Sequence, residues 1–237
     1  MRVVAVGAHP DDIELSCGGL VARLTSIGHE VGIIDLTYGE MASSGDRRIR
    51  IRESLKAAGI LGVAWRECLG LPDTGLDHSE RLQIRAVVEA LRKHKPSFVL
   101  APHRASSHPD HMEAGEMLRR AMFLAGLRRF EARGRPHRSS GLLYYMGDLR
   151  FEPSIVVDVT RFHRKKMSAV KAYRSQFRRD SGDSYPTRLN APGFLELIEE
   201  RARYLGGIIG TDYAEGFLHE GPLRVGDPAA LLCNGRA

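Results

Sequence analysis

The sequence predicts a single α/β domain, with a Rossmann-like, mostly parallel sheet and helices on both faces. Three observations carry that prediction. The apolar runs Val3–Val6, Val31–Leu36 and Phe98–Ala101 are continuous rather than alternating, which suits strands covered on both faces. Segments of helical periodicity separate them, and such alternation is the pattern of a parallel sheet with right-handed crossovers. No Pro/Ser-rich or low-complexity linker divides the 237 residues, so residues 1–237 are read as one domain.

The first strand ends where Pro10 biases His9 toward an extended backbone, and a crowded polar loop of His9, Asp11, Asp12 and Glu14 follows. After Cys17, Gly18 and Gly19, the residues Leu20, Val21, Leu24 and Ile27 form the apolar face of a first helix, closed by Gly28 as its C-cap. The second strand, Val31–Leu36, leads through a polar loop at 37–46 into a helix from about Arg47. That helix is expected to bury Ile51, Leu55 and Ala58 and to stop near Gly62. Trp65–Leu69 reads as a short third strand, and residues 71–75 as a Pro/Gly turn. Glu80–Lys93 is a helix with Leu82, Ile84, Val87, Val88 and Leu91 inward, stopped before Pro96.

Phe98–Ala101 is the fourth strand, its loop runs through residues 102–111, and a helix is expected from Met112 to Leu127. Beyond Gly134 the pattern predicts strands at Leu142–Met146 and Ile155–Val159, then a basic helix at Arg164–Phe177. A loop at 178–192, a helix at Phe194–Gly206 and a strand or lid at Tyr213–Leu223 complete the chain. In a Rossmann-like order the first and fourth strands are neighbours, and ligands bind beyond the carboxyl ends of such a pair. The loops carrying HPDD and HPDH therefore face each other.

Composition narrows the function classes. Hydrophobic content of 43% and charged content of 27% are those of an ordinary globular protein. The apolar run near the N-terminus is too short for a signal peptide or a membrane span, so the expected location is the cytoplasm and no membrane partner is expected. Cys17, Cys68 and Cys233 are odd in number and lack CxxC spacing, which argues against a disulfide framework. The net charge of +6 concentrates in arginine clusters, but with only 7% aromatic residues there is no stacking platform for single strands. Nucleic acid is accordingly not expected as a partner. GxGxxG is absent, and HPDD would repel a pyrophosphate.

The chemistry lies in the two loops. His9 and Asp12 from one and His111 from the other supply two imidazoles and a carboxylate, a set that suits a catalytic zinc with an open position and also suits ferrous iron. Such a metal lowers the pKa of a bound water to about 7. Asp11 and Asp12 point to opposite sides of a near-extended loop, so one can bind metal while the other acts as general base. His108 and His111 are three residues apart; one can ligate while the other, oriented by Asp110, stabilises an oxyanion or protonates a leaving amine. HisPro and AspAsp pairs also mark turns and N-caps. Their pairing at the ends of two buried strands favours the metal site. The RRIRIR run at 47–52 places positive charge at a helix N-terminus, against its dipole, which makes Arg50 a candidate clamp for a carboxylated substrate.

The residues AHPDDIE at 8–14 and HPDH at 108–111 resemble the LmbE-like, or PIG-L, family of metal-dependent N-acetylglucosaminyl deacetylases. LeuThrTyrGlyGlu at 36–40, LeuGlyLeuProAsp at 69–73, TyrArgSerGlnPhe at 173–177 and TyrAlaGluGlyPhe at 213–217 are similar to the bacillithiol-biosynthesis members of that family. The resemblance implies His9, Asp12 and His111 as zinc ligands and Asp11 as base. His108 and Asp110 would be the acid and oxyanion pair, and Arg50 and Arg138 substrate contacts. It also implies a homo-oligomer, commonly a hexamer, and as substrate N-acetylglucosaminyl malate. Tyr38 and the ArgAlaSerSer segment at 104–107 depart from that pattern, which keeps another N-acyl sugar or glycoside as an alternative. A non-catalytic module binding an anionic sugar or nucleotide is the alternative from a different class.

Overall fold

A computed structural model of the chain describes residues 1–177, 185–223 and 225–226. The described residues hold strands β1 (Arg2–Gly7), β2 (Glu30–Asp35), β3 (Trp65–Cys68), β4 (Phe98–Pro102), β5 (Gly141–Tyr145), β6 (Ile155–Asp158) and β7 (Ala214–Leu218). The helices are α1 (Asp12–Ser26), α2 (Arg47–Leu61), α3 (Arg81–His94), α4 (Pro109–Ala125), α5 (Thr160–Val170), α6 (Arg174–Phe177) and α7 (Phe194–Ile209). All strands join one sheet in the order β3-β2-β1-β4-β5-β7-β6. β1 pairs in parallel with both β2 and β4, as the Rossmann-like order requires, while β7 runs antiparallel between β5 and β6.

The apolar strands are buried on both faces. Val4, Val6 and Val99 face one cluster with α3 and α4. Val3, Ala5 and Leu100 face the other, with α1 and Tyr173. Burying a Val or Leu side chain in this way contributes about 1.5–3 kcal/mol.

Several expected elements shift. α1 begins at Asp12 rather than beyond Gly19, and it is two helical pieces joined across a non-helical Cys17 (φ −131°, ψ 21°). The second piece starts where the N–H groups of Gly19 and Leu20 donate to the two carboxylate oxygens of Glu215, at 2.9 and 2.7 Å. A Cβ on Gly19 would lie 2.8 Å from Val159 Cβ, so this close approach of α1 to β6 and β7 needs glycine.

On α2 the expected apolar face holds only at Ala58: Ile51 and Leu55 are exposed, and Arg50, Ser54, Ala57 and Leu61 are buried with Ala58. Small residues let α2 sit close to its neighbours. Leu82 and Ile27 are exposed for the same kind of reason, lying off the buried stripes of α3 and α1. The basic segment at 164–177 is α5 and α6, with Lys166 buried against Glu215 at 2.7 Å. Residues 178–184 of the expected loop, and Cys233, lie outside the described residues. Among the described residues no helix is long and apolar enough to cross a membrane.

Candidate active site

The site is built where β1 and β4 end. After Gly7 the chain turns back so tightly that a Cβ there would lie 3.0 Å from both Asp12 Cβ and the His9 carbonyl. His9 N donates to Asp12 Oδ2 at 2.9 Å and closes the turn. Asp11 is the N-cap of α1, at φ 107° and ψ −23°, and its side chain caps nothing. A non-glycine residue holds such a conformation at a cost of about 1–3 kcal/mol. Glu14 does not join this loop: within α1 it turns down to Arg66 Nη1 at 2.6 Å, and Arg66 holds Asp35 with two more bonds of 2.7 and 2.8 Å.

The fourth-strand loop enters α4 through His108, which is the helix N-cap; its Nδ1 accepts from Asp110 N at 3.2 Å. The helix therefore starts three residues earlier than expected, because Pro109 fits the first helical position. With Nδ1 accepting, His108 carries its proton on Nε2, and its ring lines the cavity. The Asp110 carboxylate does not orient His108. It accepts from Thr74 N at 2.8 Å and meets His9 Nε2 at 3.3 Å. Asp73, which sequence reasoning left in a turn, meets the same His9 nitrogen at 3.0 Å.

With Nε2 of His9 engaged by two carboxylates, Nδ1 is the nitrogen left for Asp12, 3.8 Å from Oδ2. His111 Nε2 lies 3.1 Å from Asp12 Oδ1. Zinc bonds of about 2.0–2.1 Å set tetrahedral ligand atoms roughly 3.3 Å apart; His9 and His111 approach the two different oxygens of Asp12 at 3.8 and 3.1 Å, so the three residues could hold a divalent ion through that carboxylate. His9, His108 and His111 also offer nitrogens within 4.8 Å of one another. That second set differs only in replacing Asp12 by His108.

The electrostatics favour a cation here. Burial disfavours the His9 imidazolium, yet Asp110, Asp73 and Asp12 hold its pKa up to about 10. Burial also opposes ionisation of Asp12, but His111 and His9 bring it below the usual carboxylate range. Burial raises Asp11 to about 7, with Arg50 opposing and Asp12 reinforcing the shift, and about neutral is where a general base is most effective. Its Oδ2 is buried without a hydrogen-bond partner. Burial lowers His108, with His9 and His111 adding to the effect.

Arg50 is buried rather than presented as a free clamp: Nη2 donates to the Pro10 carbonyl at 2.6 Å and lies 3.5 Å from Asp11 Oδ2. Its position explains why positive charge is tolerated at the start of α2. Arg138 is not brought to the site. It is exposed and packs over Gly126, the C-cap of α4, about 25 Å along a 17-residue helix from His108. The cavity above the site, about 560 Å³, is bordered by Arg50 and by three further arginines, Arg150, Arg188 and Arg201. Sequence reasoning missed these three because they fall in segments without a motif. Asp73 had a signal, the LeuProAsp turn within the family-like LeuGlyLeuProAsp.

Comparison with known proteins finds relatives in sequence and in fold. Residues 4–122 match the family PIG-L: GlcNAc-PI de-N-acetylase. The chain is 30% identical to the diacetylchitobiose deacetylase of Thermococcus kodakarensis over 91% of its length and 81% of that protein. The structure superposes on that of a conserved protein of Thermus thermophilus with a TM-score of 0.86 and 39% identity, covering 94% of this chain and 96% of the other. For the N,N'-diacetylchitobiose deacetylase of Pyrococcus horikoshii the TM-score is 0.80 and the identity 27%, covering 92% and 83%.

Proposed function

The chain belongs to the PIG-L family, and from that premise we propose that it is a zinc-dependent deacetylase that hydrolyses the N-acetyl amide of a glucosamine conjugate. The observation that carries the reading is the placement of His9 Nδ1 and His111 Nε2 on the Asp12 carboxylate, beside the buried Asp11 Oδ2, which has no hydrogen bond and only the Arg50 charge 3.5 Å away. These are donors for a metal with a base next to it. Zinc held by His9, Asp12 and His111 supplies Lewis acidity, lowering the pKa of water and polarising the amide carbonyl.

The chain's own groups do the rest. Asp11 takes a proton from the attacking water, and Arg50 keeps its carboxylate available in a buried position. His108 donates its Nε2–H to the carbonyl oxygen as negative charge develops there. As the C–N bond breaks, the nitrogen leaves as an amine, taking the proton from Asp11 or through His108, and acetate is released. Asp110 and Asp73 act through His9, which they hold.

The preferred substrate in this proposal is N-acetylglucosaminyl malate. What supports a carboxylated aglycone is the basic border of the cavity: Arg201 is anchored by the Gly147 and Leu15 carbonyls, with Arg150 and Arg188 close enough to act on its charge. Asp148 is the carboxylate that faces this group on the cavity wall. The cytoplasm is the proposed location, consistent with free thiols at Cys17 and Cys68. A homo-oligomer is also proposed, supported by the exposed Tyr204 and Ile208 on α7.

The deciding measurement is acetate released from a panel of neutral and anionic N-acetylglucosaminides. Asp11→Asn is expected to lower turnover by about 10²–10⁴-fold while zinc stays bound, and chelation to abolish turnover. Arg150→Ala and Arg188→Ala should raise KM for the malate conjugate and leave the neutral substrates unchanged. Full activity in Asp11→Asn or in chelated protein would sink the proposal.

A further inference from the structure

His111 offers Nε2 to Asp12 Oδ1 at 3.1 Å and Nδ1 to Ser106 Oγ at 3.2 Å. The position of its proton is decided one bond further back. Ser106 Oγ also lies 2.6 Å from Asp148 Oδ1, and His108 N donates to it at 3.2 Å. An ionised carboxylate can only accept, and a serine hydroxyl has one proton and two lone pairs. The Ser106 proton therefore goes to Asp148. One lone pair takes the His108 N–H, and the other faces His111 Nδ1, which must then be the donor. Nε2 meets the Asp12 carboxylate, which also only accepts, so a divalent ion bound there would displace the Nε2 proton, and the Nδ1–H held by Ser106 leaves the lone pair on Nε2 for it.

We infer that Ser106 and Asp148 are positioning residues that fix His111 as its Nδ1–H tautomer and so aim the Nε2 lone pair toward a divalent metal. The inference rests on the reading of His111 as a metal ligand and goes beyond it to how that ligand is prepared. Asp148 is itself firmly held. It also accepts from Ser107 N at 2.8 Å and from the Ser107 hydroxyl, and Arg188 Nη1 lies 3.5 Å from it. It sits beyond the end of β5, the neighbour of β4 in the sheet. His111 is thus oriented from an adjacent strand and not only from its own helix. Outer partners of this kind usually change metal affinity by about 10–100-fold.

Ser107 provides the control, since it binds the same Asp148 and has no bond to His111 among those described. Zinc affinity of the full chain is measured by competition with a chelator. Ser106→Ala and Asp148→Asn should weaken it by about 10–100-fold, Ser106→Thr should restore it, and Ser107→Ala should leave it near wild type. Nitrogen-15 shifts of the His111 ring should report a protonated Nδ1 in wild type and a mixture of tautomers in Ser106→Ala. Undiminished affinity in Ser106→Ala, or an equal loss in Ser107→Ala, would overturn the inference, because the second pattern is what loosening of the loop alone produces. A wild-type chain that binds no zinc would remove the site reading itself, and the relay with it.

Discussion

Asp11 shows how much a single residue can give up for its position. It holds a left-handed backbone that favours glycine, and its Oδ2 is buried with no hydrogen-bond partner. Relief of strain worth about 1–3 kcal/mol exceeds the roughly 0.5–1 kcal/mol entropic cost of glycine. Asp11→Gly gains that difference but leaves the buried Arg50, 3.5 Å away, without its counter-charge, which costs about 3–5 kcal/mol. The variant is expected to be less stable than wild type in urea, measured without metal, and to lose its acetate release; a more stable variant would show that the backbone strain outweighs the ion pair. None of this strain is legible in the sequence, where the two residues alone are interchangeable as ligand and base and only the family resemblance makes Asp11 the base. The structure separates them because the His9 N–H claims the Asp12 carboxylate and Arg50 claims the Asp11 side.

At the scale of elements, α1 depends on a strand nearly two hundred residues away. Lys166 and Glu215 form a buried ion pair, and the same carboxylate caps the second piece of α1. Removing one partner of such a pair leaves an uncompensated charge and costs about 3–5 kcal/mol. Glu215→Ala should lose that much by urea unfolding, and Lys166→Met together with Glu215→Gln should recover most of it. Equal losses in both variants would argue that the caps matter more than the buried charge. The apolar strands were legible because continuous Val, Ile and Leu runs admit few other placements. The starts of α1 and α4 were not, since polar residues that ligate and polar residues that cap look alike in sequence. The buried face of α2 was misread because Arg50 and Ser54 take inward positions that a hydrophobic pattern assigns to Ile51 and Leu55.

On the scale of the whole molecule, the sheet order is decisive because it makes neighbours of β1 and β4. That adjacency followed from strand alternation, so the pairing of the HPDD and HPDH loops could be read before any coordinates. The basic border of the cavity could not, because Arg150, Arg188 and Arg201 come from separate segments that only the fold assembles. A site made by two distant loops exists only in the folded chain, so the proposed metal would bind that state alone. Zinc should then raise the unfolding free energy by about 4.1 kcal/mol at a thousandfold excess over its Kd, seen as a concentration-dependent Tm that His111→Ala abolishes. A Tm indifferent to zinc would mean that the loops do not hold it.

The clamp of Glu215 on Gly19 and Leu20 also has a consequence in time. Gly19 and Glu215 are 196 residues apart, and a ribosome adding about 5–20 residues per second needs roughly 10–40 s to make that stretch. Throughout that interval the helix that carries Asp12 lacks the anchor for its second half. The first strand and its loop are made long before β7 arrives to cap that half of the helix. The last described strand to be translated is therefore the one that completes the first helix.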